Sequence, residues 1–240
     1  MDIYKPIVET INEMVSDIPG WSPEDQLYTL YLLGITTAKL GGDILEIGSW
    51  CGRSSTVLAL AAKNSGIGKI HCVDLFPSLD DWFENQDGTY SFKVRIGERI
   101  YGGYSNQTVW KEPYEQQIIP MYERYGSNLQ AIFQNTVERK GFSKIITDYK
   151  GTTYEFASEY NGKLRLAFID GDHGYRAVCE DIQIVEKCLQ PGGWIVFDDA
   201  FSVYEGVNQA IIDKIISSGR YELAGQFTRK CFGARRKNND

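Results

Sequence analysis

The stretch DILEIGSWCGRSSTVLALAAKN, residues 43–64, decides how this chain is read. Its first part, through Ile47, is nearly all apolar and reads as a strand buried on both faces. Its last part, from Ser54, sets small and apolar residues at helical spacing. Between them Glu46, Gly48 and Gly52 form E-x-G-x-x-x-G. A strand that ends in glycines and opens into a helix lets backbone N–H groups approach a ligand closely. The next apolar run, KIHCVDLF (69–76), is a second strand ending in Asp74, 26 residues past Gly48. An acid there can accept hydrogen bonds from both hydroxyls of a ribose. G-x-G-x-x-G is absent, because Ser49, Trp50 and Cys51 fill the gap where a pyrophosphate needs close approach. A nicotinamide-dependent dehydrogenase is thereby disfavoured against another adenosine ligand.

The same rhythm continues outward. KIITDYKG (144–151), LRLAFID (164–170) and WIVFDD (194–199) read as further strands. TYEFASEY (153–160) is helical, as is 175–189, where Val178, Ile182, Val185 and Leu189 make one apolar face. QPGG (190–193) reads as a turn. VYEGVNQAIIDKIISSG (203–219) is a helix ending in glycine, and YELAGQF (221–227) with CFGARR (231–236) forms a closing hairpin. The expected fold is α/β: a doubly wound, Rossmann-like, seven-stranded, mostly parallel sheet. Residues 1–42 form an N-terminal helical extension, with Ser22-Pro23-Glu24-Asp25 as a helix start capped by serine. Residues 43–240 form the main domain, interrupted by an insertion at about 76–125. An unstructured loop of about 50 residues is rare in a compact domain unless it serves a function. Aromatic residues are denser there than the 13% of the whole chain, so a packed cap is expected. Trp82, Tyr104 and Trp110 are its candidate pocket residues, chosen for size and position.

Composition narrows the function classes. The 240 residues carry a net charge of −7, which disfavours unaided binding to nucleic acid or an anionic membrane. No run approaches the roughly 20 apolar residues of a membrane span. The N-terminus lacks a signal-peptide core, and the cysteines (Cys51, Cys72, Cys179, Cys188, Cys231) show no CxxC pair, so buried thiols in a cytoplasmic protein are expected.

AFIDGDHGYRAV (167–178) places Asp170, Asp172 and His173 at a strand end. Asp198 and Asp199 end the neighbouring strand. In an open α/β sheet, ligands bind outside the carboxyl ends of the strands. Acids gathered there raise one another's pKa unless a cation joins them, and an oxygen-rich set suits a hard divalent ion, Mg2+ first. His173 can accept a hydroxyl proton near working pH, with Asp172 as the competing base. His71, inside the second strand, reads as a packed residue.

LEIGSWCGRSS, VDLF, FIDGDH and PGGWIVFDD together resemble the class I S-adenosylmethionine-dependent methyltransferases over about residues 43–235, the insertion aside. More narrowly, they resemble the metal-dependent O-methyltransferases of the catechol and macrolide-sugar types. The resemblance implies that Glu46, Gly48 and Gly52 belong to the cofactor loop, with the glycines near the methionine part. It implies that Ser54 binds the methionine carboxylate, Asp74 the ribose, and Gly151 with Thr153 of YKGTT the adenine edge. Asp170 is expected to face the cofactor and to join Asp198 and Asp199 as a metal ligand. His173 stands where related enzymes carry a lysine or histidine base, and Asp172 where some sugar O-methyltransferases use an acid. The expected activity is methyl transfer from S-adenosylmethionine to a hydroxyl of a small molecule, a sugar-bearing natural product or a phenol. A cofactor-binding protein without catalysis is the rival from another class. The N-terminal helices are candidates for a homodimer contact.

Overall fold

A computed structural model describes residues 5–102 and 108–238. The chain begins with α1 (Ile7–Val15) and α2 (Glu24–Thr36). Then come β1 (Asp43–Ile47), α3 (Arg53–Ser65) and β2 (Ile70–Asp74). The insertion holds β3 (Trp82–Glu84), β4 (Tyr90–Ile96), β5 (Arg99–Gly102), α4 (Lys111–Pro113) and α5 (Ile119–Tyr125), the last two joined by a π turn. The remainder is α6 (Leu129–Arg139), β6 (Ile146–Lys150), α7 (Thr153–Glu159), β7 (Leu164–Ile169), α8 (Tyr175–Cys188), β8 (Leu189–Phe197), α9 (Glu205–Ala210), β9 (Tyr221–Gln226) and β10 (Phe232–Arg236).

The main sheet has seven strands in the order β6-β2-β1-β7-β8-β10-β9. The first five are parallel, and β10 runs antiparallel to both its neighbours. This is the doubly wound sheet expected from the sequence. Every residue of β7 is buried, as befits a central parallel strand covered on both faces. One side of the sheet packs on α2, α3 and α6 through residues such as Leu30, Leu58 and Phe133. The other packs on α8 and α9 through Ile182, Val185 and Val207. Strand order reverses between β1 and β7, so the crevice for a ligand opens at their carboxyl ends.

The N-terminal extension is built into this core. Ile11, Val15 and Leu27 pack on Val57 of α3. The Arg53 side chain, at the first turn of α3, donates to the carbonyls of Val15, Ile18 and Ser22. Ser22 does not cap α2; Pro23 takes the cap position and Ser22 is buried. QPGG is not a free turn either. It lies within β8 as a wide bulge: Leu164 pairs with Leu189, yet Leu166 pairs with Trp194. Gly192, at φ +80°, lets the chain bulge and rejoin β7 without ending the strand. The insertion is a packed cap, with β3, β4 and β5 as a three-stranded antiparallel sheet beside the helical run that ends in α5. Trp82 sits among Trp50, Phe92 and Tyr114, whereas Trp110 is 73% exposed. Tyr104 lies outside the described residues.

Candidate active site

Two successive strand ends form the floor of the crevice. Gly48 N–H donates to Val73 and Asp170 N–H to Ile47, so Gly48 and Asp170 stand side by side at the switch point. A Cβ on Gly48 would come 1.9 Å from the Asp170 carbonyl oxygen, and its φ is +84°. Only glycine fits there. Gly52, at φ +89°, turns the chain into α3. Trp50, Phe76 and Asp199 also adopt positive φ, at 47°, 45° and 50°. Bulky residues in that region are strained, and such strain gathers at functional sites.

The residues expected at the cofactor divide into two groups. Asp74 is already engaged: Oδ2 accepts from the N–H groups of Ser49 (2.8 Å) and Trp50 (2.9 Å), and Oδ1 from Phe76 N–H (2.6 Å). It therefore pins the glycine loop, and one of a carboxylate's four lone-pair positions is left over. Burial pushes its carboxyl up, and those three N–H groups pull it back. Glu46 lies beneath the loop with no exposure, accepting from Ser55 Oγ and from Cys72 Sγ at 3.3 Å. Burial raises its carboxyl against the pull of Ser54 and Ser55. Ser54 is itself 4% exposed. In this geometry Glu46 and Ser54 support the loop from below. Gly151 N–H donates to the Asp74 carbonyl at 3.0 Å, which brings the start of α7 beside Asp74. Thr153 is buried and hydrogen-bonds the Asp181 carboxyl. Asp181 of α8, packed near the FIDGDH loop, is pushed up to about 7 by burial. The sequence reading did not single it out.

The acids beyond the crevice gather as a cluster with two members the sequence reading missed. Asp170, His173 and Asp199 each bring a donor atom within 4.8 Å of the others. His173 Nε2 lies 3.2 Å from Asp199 Oδ2, and the Tyr204 ring stacks on the imidazole at 3.9 Å. His173 Nδ1 is buried with no hydrogen-bond partner among the described residues. Asp198 is turned instead to Lys230, whose Nζ lies 2.9 Å from Asp198 Oδ2 and 3.3 Å from Asp199 Oδ1. Lys230 sits in the β9–β10 turn, docked where Ala200 N–H donates to the Lys230 carbonyl at 2.9 Å. No motif spacing announces it, because that docking is set by the sheet edge. Burial pushes the Asp170 carboxyl well up, and the facing Asp198 carboxylate pushes it further. Burial opposes the charge of Asp199 too, but His173 and Lys230 outweigh it and hold that carboxyl low. Asp172 points away from the cluster, its Oδ1 taking Gly174 N–H at 2.5 Å, and burial raises its carboxyl. His71 bonds Asp43 at 3.1 Å inside the sheet, far from this chemistry in role.

This donor set fits a divalent ion. It is hard and oxygen-rich with one imidazole, and Asp198 Oδ1 is buried with no N–H or hydroxyl donor among the described residues, the Asp170 carboxyl being the group that faces Asp198. Two facing carboxyls cannot both ionise without a proton or a cation between them.

A further cavity of about 350 Å3 opens beside the glycine loop. Its walls come from residues 16–21, from Trp50 and from the helical part of the insertion, including Gln117, Met121 and Arg124. Trp21 and Trp50 lie 5.4 Å apart, and Trp21 Nε1 donates to Gln117 Oε1 at 2.6 Å. The insertion thus lines a cavity, but with α5 and its preceding turn; Trp82 stands behind Trp50 and Trp110 faces outward.

A seven-stranded doubly wound sheet with a glycine loop after β1 and acids just past β7 and β8 is the fold of a class I methyltransferase. Residues 45–200 match the family described as methyltransferase domain, and the chain belongs to that family. Uncharacterized protein R132 of Acanthamoeba polyphaga mimivirus is 31% identical over 103 residues, a match spanning 40% of this chain and 40% of that protein. Among solved structures, the O-methyltransferase NovP is 12% identical with a TM-score of 0.63, over 96% of this chain and 88% of that one. The O-methyltransferase TomG from Streptomyces achromogenes, involved in tomaymycin synthesis and determined with S-adenosylmethionine, is 13% identical with a TM-score of 0.54, over 98% and 92%. At such identities the likeness is one of fold.

Proposed function

We propose that the chain transfers a methyl group from S-adenosylmethionine to a hydroxyl of a small molecule, with a divalent ion held by Asp170, Asp198 and Asp199. The observation that carries this reading is the juxtaposition at the β1–β7 switch point: a pinned glycine loop beside a carboxylate cluster that contains an unpartnered imidazole nitrogen. Bound there, a divalent ion supplies Lewis-acid polarisation of the acceptor hydroxyl. His173 supplies the base. With Nε2–H donating to Asp199, the lone pair falls on Nδ1, the nitrogen with no partner. Tyr204 holds the plane of the ring. With the cofactor bound, the acceptor oxygen would bond to the methyl carbon as the methyl–sulfur bond breaks to release S-adenosylhomocysteine, and His173 Nδ1 would take the hydroxyl proton. Asp172, tied to Gly174 N–H, is the less suited base. The cavity between Trp21, Trp50 and α5 is the proposed acceptor pocket, its aromatic walls suiting a phenol or a glycosylated ring.

The test is ligand-dependent stability. S-adenosylhomocysteine at about a hundred times its dissociation constant should stabilise the fold by about 2.7 kcal/mol, and NAD should not. Asp74→Asn should shrink that shift. Stabilisation by NAD alone, or bound S-adenosylhomocysteine with no methyl transfer to any phenol or sugar hydroxyl, would remove the reading.

A further inference from the structure

The acidic cluster already contains a cation of its own. Lys230 Nζ lies within hydrogen-bond reach of Asp198 Oδ2 and Asp199 Oδ1, and its side chain is only 16% exposed. Asp198 is 5% exposed. These are two of the three acids to which the proposed function assigns a divalent ion, and the inference rests on that assignment. The second observation at the site is independent of the lysine: Asp198 Oδ1 is buried with no N–H or hydroxyl donor among the described residues, and the Asp170 carboxyl is the neighbour that hydrogen-bonds Asp198. So a pair of facing carboxyls lies on the inner side of the cluster while the ammonium covers Asp198 Oδ2 and Asp199 Oδ1.

We propose that Lys230 is a resident counter-cation that competes with the divalent ion, occupying Asp198 and Asp199 when the site is unloaded and withdrawing when the ion binds. The reason is electrostatic. An ammonium held a few ångströms from a divalent ion in a partly screened site repels it strongly. Two carboxylates cannot give the same lone pairs to both. The lysine also has somewhere to go, because its stem is long and flexible and the turn that carries it lies at the sheet edge. In the unloaded enzyme the ammonium offsets the repulsion between neighbouring buried acids, which keeps Asp199 aligned on His173 Nε2. Lys230 is thus a positioning residue before loading and a brake on loading, and it sets the ion concentration at which the enzyme works.

The experiment measures ion binding, not turnover. Mn2+ is titrated by electron paramagnetic resonance into wild type, Lys230→Met, Lys230→Arg and Asp170→Asn, without donor or acceptor. Lys230→Met should bind Mn2+ about tenfold more tightly or better. Lys230→Arg keeps the charge and should stay near wild type, and Asp170→Asn should lose binding. A second measurement uses wild type alone, so it survives a variant that fails to fold. Reductive methylation read by mass spectrometry should modify Lys230 slowly in the ion-free protein and faster with Mn2+ bound. If Mn2+ binds wild type in an Asp170-dependent way, but Lys230→Met binds no tighter or Lys230 labelling does not change, the inference fails and the metal reading stands. If Mn2+ binds neither wild type nor Lys230→Met, both fail.

Discussion

His173 and Asp181 are ionisable residues a few positions apart in sequence, and their surroundings give them different tasks. His173 has one nitrogen on Asp199 and one buried with no hydrogen-bond partner among the described residues, and the proposed function makes it the base. His173→Ala should leave S-adenosylhomocysteine binding nearly intact and cut the methyl-transfer rate by about a hundredfold to ten-thousandfold. Near-normal single-turnover rates in His173→Ala, with a collapse in Asp172→Ala, would move the base to Asp172. Asp181 carries a stability signature instead. Burial raises its carboxyl from 3.8 to about 7, so the folded state keeps that proton longer than the unfolded chain. The stability from this group is present below 3.8 and is lost as pH climbs through about 7. Asp181→Asn should therefore raise the Tm over wild type at about pH 8 and change it little at about pH 4. An equal shift at both pH values would show that its charge is not destabilising.

Among the elements, α3 does more than follow the glycine loop. Arg53 gathers three carbonyls, that of Val15 at the end of α1 and those of Ile18 and Ser22 between α1 and α2, and this connecting segment walls the cavity at Trp21. Arg53→Leu should cost about 2 kcal/mol in urea unfolding, since part-buried carbonyls lose a charged donor. It should also raise the acceptor KM more than it lowers kcat; an unchanged KM would separate the cavity from acceptor binding. How far such roles can be read from sequence depends on locality. β1, β2, β6 and β7 were legible because each is a short apolar run bounded by turn signals. So were the glycine loop and the acids at strand ends, because strand and motif lie together in the chain. The bulge at QPGG was not, since Pro and Gly mark a turn whether or not the flanking strand resumes its pairing. The cap strands β3–β5 were hidden by mixed polarity along short stretches. Lys230, Tyr204 and Trp50 gained their places from contacts made across the fold, and no spacing within their own segments encodes those contacts.

In the whole molecule, chemistry and stability occupy opposite ends of one sheet. At the amino ends of the strands, Arg165 is wholly buried in β7 and donates to the carbonyls of Gly34, Gly42 and Ile67. One side chain thus clasps α2 and the loops leading into β1 and β2. Arg165→Met, similar in length but without donors, should lower stability by about 2–5 kcal/mol, because those carbonyls lose their partners. It should leave S-adenosylhomocysteine affinity largely intact at low temperature; a fall in affinity matching the fall in stability would contradict this separation. At the carboxyl ends, Trp50 has its amide on Asp74 and its indole on Trp21, 5.4 Å away and tilted by 44°. Two indoles so close share their excited states, so the pair should give a coupled band in near-ultraviolet circular dichroism that disappears in Trp21→Phe. A ligand that reorients Trp50 should change that band, so occupancy of the crevice should be readable by circular dichroism without a label.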